Sequence, residues 1–124
     1  MAARAPAGWP HDLPPPGTEE FEAAVASWLL DRGPADLRTS PLRHQPIALA
    51  WAVSHHVDAT LTGVRAAYAS ARTGLGEYLS ADQVATVQTA LEAEGARALQ
   101  AQRETSLVSD ALRAAARRTR TRTP

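Results

Sequence analysis

Residues 46–76 read PIALAWAVSHHVDATLTGVRAAYASARTGLG, and the recurrence of their apolar side chains decides the fold. Val53, Val57, Leu61, Val64, Tyr68, Ala71 and Leu75 are separated by 4, 4, 3, 4, 3 and 4 residues. This is close to the 3.5-residue spacing of a coiled-coil seam, so the stretch is expected to form one long amphipathic helix. Pro46 suits its first position, where a missing amide hydrogen would have no partner anyway. Gly74 and Gly76 mark its fraying end.

Ser80-Ala81-Asp82-Gln83 then spells a capping box, in which the Ser hydroxyl and the Gln side chain satisfy each other's backbone amides. A third helix is expected from about residue 81 to about 115, with Val84, Val87, Leu91, Ala98, Val108 and Leu112 along its seam and polar gaps at Gln102 and Thr105. Both long helices come to about 33 residues, roughly 50 Å, and the short link near 76–80 forces them antiparallel. A pairing in which facing residue numbers total about 155–159 sets Gly63 level with Gly95. A glycine costs about 1 kcal/mol inside a helix relative to alanine, and close approach of the two backbones would account for both, with a kink or chance placement as the alternatives.

Upstream, Thr18 can cap a first helix over about 18–32, and Glu19, Glu20 and Glu22 complement its positive end. Phe21, Ala24, Val25, Trp28 and Leu29 form one buried face, and Gly33-Pro34 supplies the stop. Residues 33–45 read as an ordered connection. Residues 1–17 hold five of the nine prolines and are expected to be a flexible leader in which only Trp9 and Leu13 are bulky and apolar. The fold class is therefore all-α: a short N-terminal helix on a long antiparallel hairpin, with a helical domain over 18–115 and a basic disordered tail over 116–124.

Composition agrees with close helical packing in one domain, because 27 alanines outnumber the 22 Val, Leu, Ile and Phe in a chain of 124 residues. With no cysteine, disulfides, thiolate nucleophiles and zinc-finger or iron–sulfur sites are excluded. No apolar run approaches the roughly 18 residues of a membrane span, and the start lacks an apolar signal core, so no membrane association is expected. All 13 basic side chains are arginine, which fits either bidentate phosphate contacts or the codon bias of a GC-rich genome.

Candidate chemistry is sparse. His55, His56, Asp58 and His44 are the only cluster resembling metal ligands, but adjacent helical histidines diverge by about 100° and neither has a ligand four residues on. Glu92 and Glu94 diverge likewise, no loop frames a Ser–His–Asp nucleophile, and Gly74-Leu75-Gly76 lacks the remainder of a phosphate loop. No catalytic residue, metal or cofactor is therefore assigned.

The first helix covers only about half of the hairpin. It is expected to seat at the open end, where Ile47, Leu49 and Trp51 meet Val108 and Leu112. At the tip, Leu75, Tyr78, Leu79, Val84 and Val87 lack a third layer and are the expected partner interface, for a second copy or another helical protein, giving a four-helix arrangement. Residues 113–124 carry five arginines and no acid. Arg113, Arg117, Arg118, Arg120 and Arg122 are candidate phosphate contacts, although no aromatic accompanies them for stacking on nucleic acid.

Trp28-Leu29-Leu30-Asp31, Pro41-Leu42-Arg43-His44-Gln45-Pro46 and Leu91-Glu92-Ala93-Glu94-Gly95-Ala96-Arg97 give residues 18–112 a resemblance to uncharacterised small helical proteins of GC-rich actinobacteria. The resemblance implies a bacterial, cytoplasmic setting and no activity. The pattern as a whole points to a noncatalytic interaction or assembly module, a homodimer or a binder of another helical protein. The alternative is a small nucleic-acid-associated regulator using the arginine tail, and an enzyme built around His55 and His56 is a third option.

Overall fold

The structure, a computed structural model, describes residues 4–122 and contains three α-helices: α1 (Glu19–Leu30), α2 (Pro46–Leu75) and α3 (Ala81–Arg122). Two short 3₁₀ turns, Ala35–Thr39 and Pro41–His44, connect α1 to α2. No strand occurs among the described residues. The architecture is the short helix on a helical hairpin that the periodicity predicts, with α2 and α3 forming the principal contact.

Local signals in the sequence set the helix ends. Thr18 Oγ1 accepts the Phe21 amide at 3.1 Å, with Glu19, Glu20 and Glu22 in the first turn of α1. The Ser80 amide donates to Gln83 Oε1 at 2.9 Å while the Gln83 amide donates to Ser80 Oγ at 3.2 Å, completing the reciprocal cap of α3. At the far side of the tip, the amides of Tyr78 and Leu79 both reach Leu75 O, which closes the last turn of α2.

Gly33 acts differently from its expected role. Its φ is not positive, so it is not a left-handed helix stop. A Cβ there would instead stand 2.8 Å from Leu37 Cδ1 and 3.1 Å from Val53 Cγ2, so glycine lets the connection cross close over α2.

Of the leader expected to be flexible, residues 1–3 lie outside the described residues, and the part from Trp9 to Leu13 is docked, contrary to that expectation. Pro10 and Leu13 are buried, Leu13 joins the core, and the Trp9 ring tilts on Phe21 at a centroid distance of 5.8 Å. Trp9 Nε1 donates to Leu13 O and Pro14 O, turning the segment over the end of the core. Asp12 accepts a 2.9 Å hydrogen bond from Trp28 Nε1 and pairs with Arg32 at 3.0 Å, while the Arg32 guanidinium lies 3.7 Å over the Trp28 ring. Proline removes donors, but it also presets φ and lowers the entropy lost on docking, so Trp9, Pro10 and Leu13 with the Asp12 contacts hold the segment.

The core gathers Phe21, Val25, Trp28 and Leu29 of α1, Leu49, Val53 and Val57 of α2, Val108 of α3 and Leu13. Ile47 and Trp51 do not join it: they are 39% and 54% exposed. The physical reason is helical phase, since Trp51 lies two residues from both Leu49 and Val53 and therefore about 160° round the helix from each.

The hairpin register follows from cross-helix contacts. Tyr68 OH donates to Glu92 Oε1 at 3.0 Å, and Gln102 Nε2 donates to Asp58 Oδ1 at 2.8 Å, so the numbers of these facing residues total 160. At this register Val64, not Gly63, meets Gly95, its Cγ1 being 3.7 Å from where a Cβ would stand. Gly63 has open space around it, so the facing-glycine contact is not formed. A shift of one residue turns a helical side chain by about 100°, enough to move Gly63 off the seam.

α3 is also longer than predicted, 42 residues against 30 for α2, or about 63 Å against 45 Å. It runs beyond the level of Pro46 and carries 116–122 in helical form where a disordered tail was expected. Ala114, Ala115 and Ala116 favour its continuation.

Candidate interaction surface

The structure divides the hairpin into a covered base and a bare arm. The core that includes α1 reaches only to Val57 on α2 and Ala101 on α3. Further toward the tip, Leu61, Ala71, Val84 and Ala98 are buried between two helices alone.

The five predicted interface residues at the tip fall into different environments. Tyr78 stands out at 77% exposure, while Leu75, Leu79 and Val87 are half-buried. Val84 is only 6% exposed and closes the hairpin's own interior. Leu79 and Val84 come together with Arg72, Gly76, Ala85 and Gln88 around a shallow cleft of about 360 Å³. Phase alone could not separate these roles, because the seam of a two-helix arm is open on both flanks.

Ile47 and Trp51 form the apolar feature that sequence reasoning assigned to the core. The Trp51 and His55 rings meet edge to face at a centroid distance of 5.0 Å, which holds the indole on the outer surface. The signal was present: Leu49, Val53 and Val57 fix the inward face, and residues 47 and 51 fall outside it. An exposed tryptophan beside an isoleucine has the composition of an interface anchor.

The polar candidates are dispersed. His56 is exposed, His44 accepts from Arg43 Nε, and no group of three potential metal ligands forms among the described residues. Hydrogen bonding to Glu92, together with the field of its carboxylate, raises the Tyr68 phenol above its ordinary pKa, which keeps the phenol a donor across the hairpin. A depression of about 910 Å³ has Ser54, Asp58, Gln102, Ser109 and Arg113 in its wall together with Gly8 and Leu107. Leu107 and Ser109 point about 160° apart on α3, so this space wraps round the helix and encloses no single site.

Arg113, Arg117, Arg118 and Arg120 are exposed along the last three turns of α3, and none makes an ion pair among the described residues. The side chain of Arg122 lies outside the described residues. Positions 113, 117 and 120 share one face by their spacing, with 118 on another.

No helix among the described residues is long and apolar enough to cross a membrane. Comparison with family models, with curated proteins and with solved structures finds no match to this chain.

Proposed function

We propose that this protein is a noncatalytic, cytoplasmic helical interaction module that associates with a second copy of itself through the uncovered length of its hairpin. The observation that carries this reading is the mismatch of layers: α1 has 12 residues and covers the base of a hairpin whose α2 has 30. A two-helix arm leaves apolar flanks wet, and association is the ordinary way to bury them. Leu75, Tyr78 and Leu79 at the tip and Ile47 and Trp51 near the base are the residues offered for contact. Sedimentation equilibrium of the purified chain tests the reading. A mass rising toward twice 13.2 kDa with concentration supports it, and a monomer throughout overturns it.

A second reading is favoured by the unpaired arginines of α3. A basic helical end projecting past the rest of the fold suits a phosphate backbone, and each neutralised phosphate steepens the dependence on salt. Binding to random duplex that weakens with salt and disappears on deletion of 113–124 would replace the first reading with this one.

A further inference from the structure

The self-association just proposed leaves its geometry open, and we infer that the two copies pack antiparallel through one stripe of α2, about a twofold axis between Leu61 and Thr62. The stripe runs Ile47, Trp51, Ser54, Asp58, Arg65 and Arg72, at successive separations of 4, 3, 4, 7 and 7 residues. The first four follow the 3.5-residue spacing of a helical contact face, and Arg65 and Arg72 continue it at whole heptads, the intervening Leu61 and Tyr68 being turned toward α3. Ser54 and Asp58 border the same depression as Gln102, Arg65 borders a cleft with Leu91 and Gly95, and Arg72 borders the tip cleft. The stripe therefore follows the groove between α2 and α3 along the arm. Its exposed anchor Trp51 points away from Leu49 and Val53, where α1 sits.

The order of residues along the stripe is self-complementary in one direction only. With the axis at that level, Asp58 lies opposite the partner's Arg65, Trp51 opposite the partner's Arg72, and Ile47 opposite the partner's Gly76. Acid meets base, an indole face meets a guanidinium, and an exposed aliphatic side chain meets the tip cleft that Arg72, Gly76 and Leu79 border. Each contact occurs twice, as an isologous interface requires. The ends agree: residues 75–84, which this axis sets level with the end of the other α3, carry Glu77 and Asp82 and no arginine, whereas 113–122 carry five arginines and no acid. By the hairpin register Arg113 stands level with Ile47, so the basic end of each α3 arrives beside the acidic tip of the other copy. A parallel pair would set Asp58 on Asp58, Arg65 on Arg65 and the two arginine ends together, and like charges at those positions repel. The α2 stripe alone offers roughly 450 Å² per copy, and the flank of α3 across the groove brings the face to roughly 900 Å², close to the ~800 Å² per partner of a standard stable interface.

Charge exchange and cross-linking test the arrangement in the full chain. Asp58→Arg and Arg65→Asp should each weaken dimerisation by about tenfold or more, and the double variant, which restores both symmetry-related pairs with reversed sign, should recover most of it. Since the chain has no cysteine, Thr62→Cys places a single exposed thiol next to the axis and should give a covalent dimer on oxidation. Thr73→Cys, about 35 Å from its own copy in this arrangement, should not. The Arg65 side chain makes no hydrogen bond or ion pair among the described residues, so Arg65→Asp and Thr62→Cys remain informative even if loss of the Asp58 to Gln102 bond unfolds the Asp58 variant. A chain that dimerises yet ignores both charge reversals, or that cross-links at 73 and not at 62, overturns this geometry and leaves self-association standing. A chain that never dimerises removes both.

Discussion

Among the described residues Thr105 is the one buried polar side chain, at 1% exposure, and its hydroxyl has no hydrogen-bond partner there. It sits one helical turn from Val108, on the face of α3 that meets α2. Replacing Thr105 by Val keeps the β-branched shape and exchanges the unpaired oxygen for a methyl group. An unsatisfied buried group costs about 1–3 kcal/mol, and burying one more carbon contributes about 0.8 kcal/mol. Slight overpacking offsets part of this, so a gain of about 1–2 kcal/mol is expected. For a chain of this length that corresponds to roughly 4–8 °C in Tm. Thermal unfolding followed by circular dichroism, at a fixed protein concentration because self-association would also move Tm, measures it directly. An unchanged or lowered Tm would refute the reasoning, showing that the hydroxyl is satisfied by the Ala101 carbonyl one turn back or by a water.

Further outcomes follow from other contacts. Gly33→Ala should destabilise the fold by about 1 kcal/mol, since the Leu37 tip can swing aside but fully buried Val53, 3.1 Å from the new Cβ, has little room to give; urea denaturation reads this. Trp51→Ala should leave the unfolding midpoint of the dilute protein almost unchanged while weakening dimerisation, a split visible by comparing denaturation with sedimentation. The Trp28 hydrogen bond, opposed by partial desolvation and aided by Arg32, holds the Asp12 carboxyl below its ordinary pKa of 3.8. A depressed folded value means that Asp12 stabilises fully above its unfolded pKa and loses that contribution as pH falls through the lower folded one. Acid titration of stability should therefore show a limb below about pH 4 that shrinks in Asp12→Asn.

What could be read from the chain alone was whatever short-range physics controls. The spacing of Val53, Val57, Leu61 and Val64 requires a helix wherever it is placed; Thr18 and the Ser80–Gln83 pair mark helix starts by hydrogen bonds spanning three residues, and Pro46 marks one by its fixed φ and missing donor. A five-residue link between two such helices leaves an antiparallel hairpin as the compact solution. Tertiary structure decided what depends on distant neighbours. Trp9 and Leu13 have no local pattern to reveal that Phe21 and Trp28 receive them, and Gly33 is needed only because Leu37 and Val53 converge there. The register was decided by paired side chains such as Asp58 with Gln102, and a slip of one residue transferred the contact with Gly95 from Gly63 to Val64. Periodicity specifies which residues share a face; only the packed neighbours determine whether that face is covered, and so whether Trp51 belongs to the core or is left for a partner.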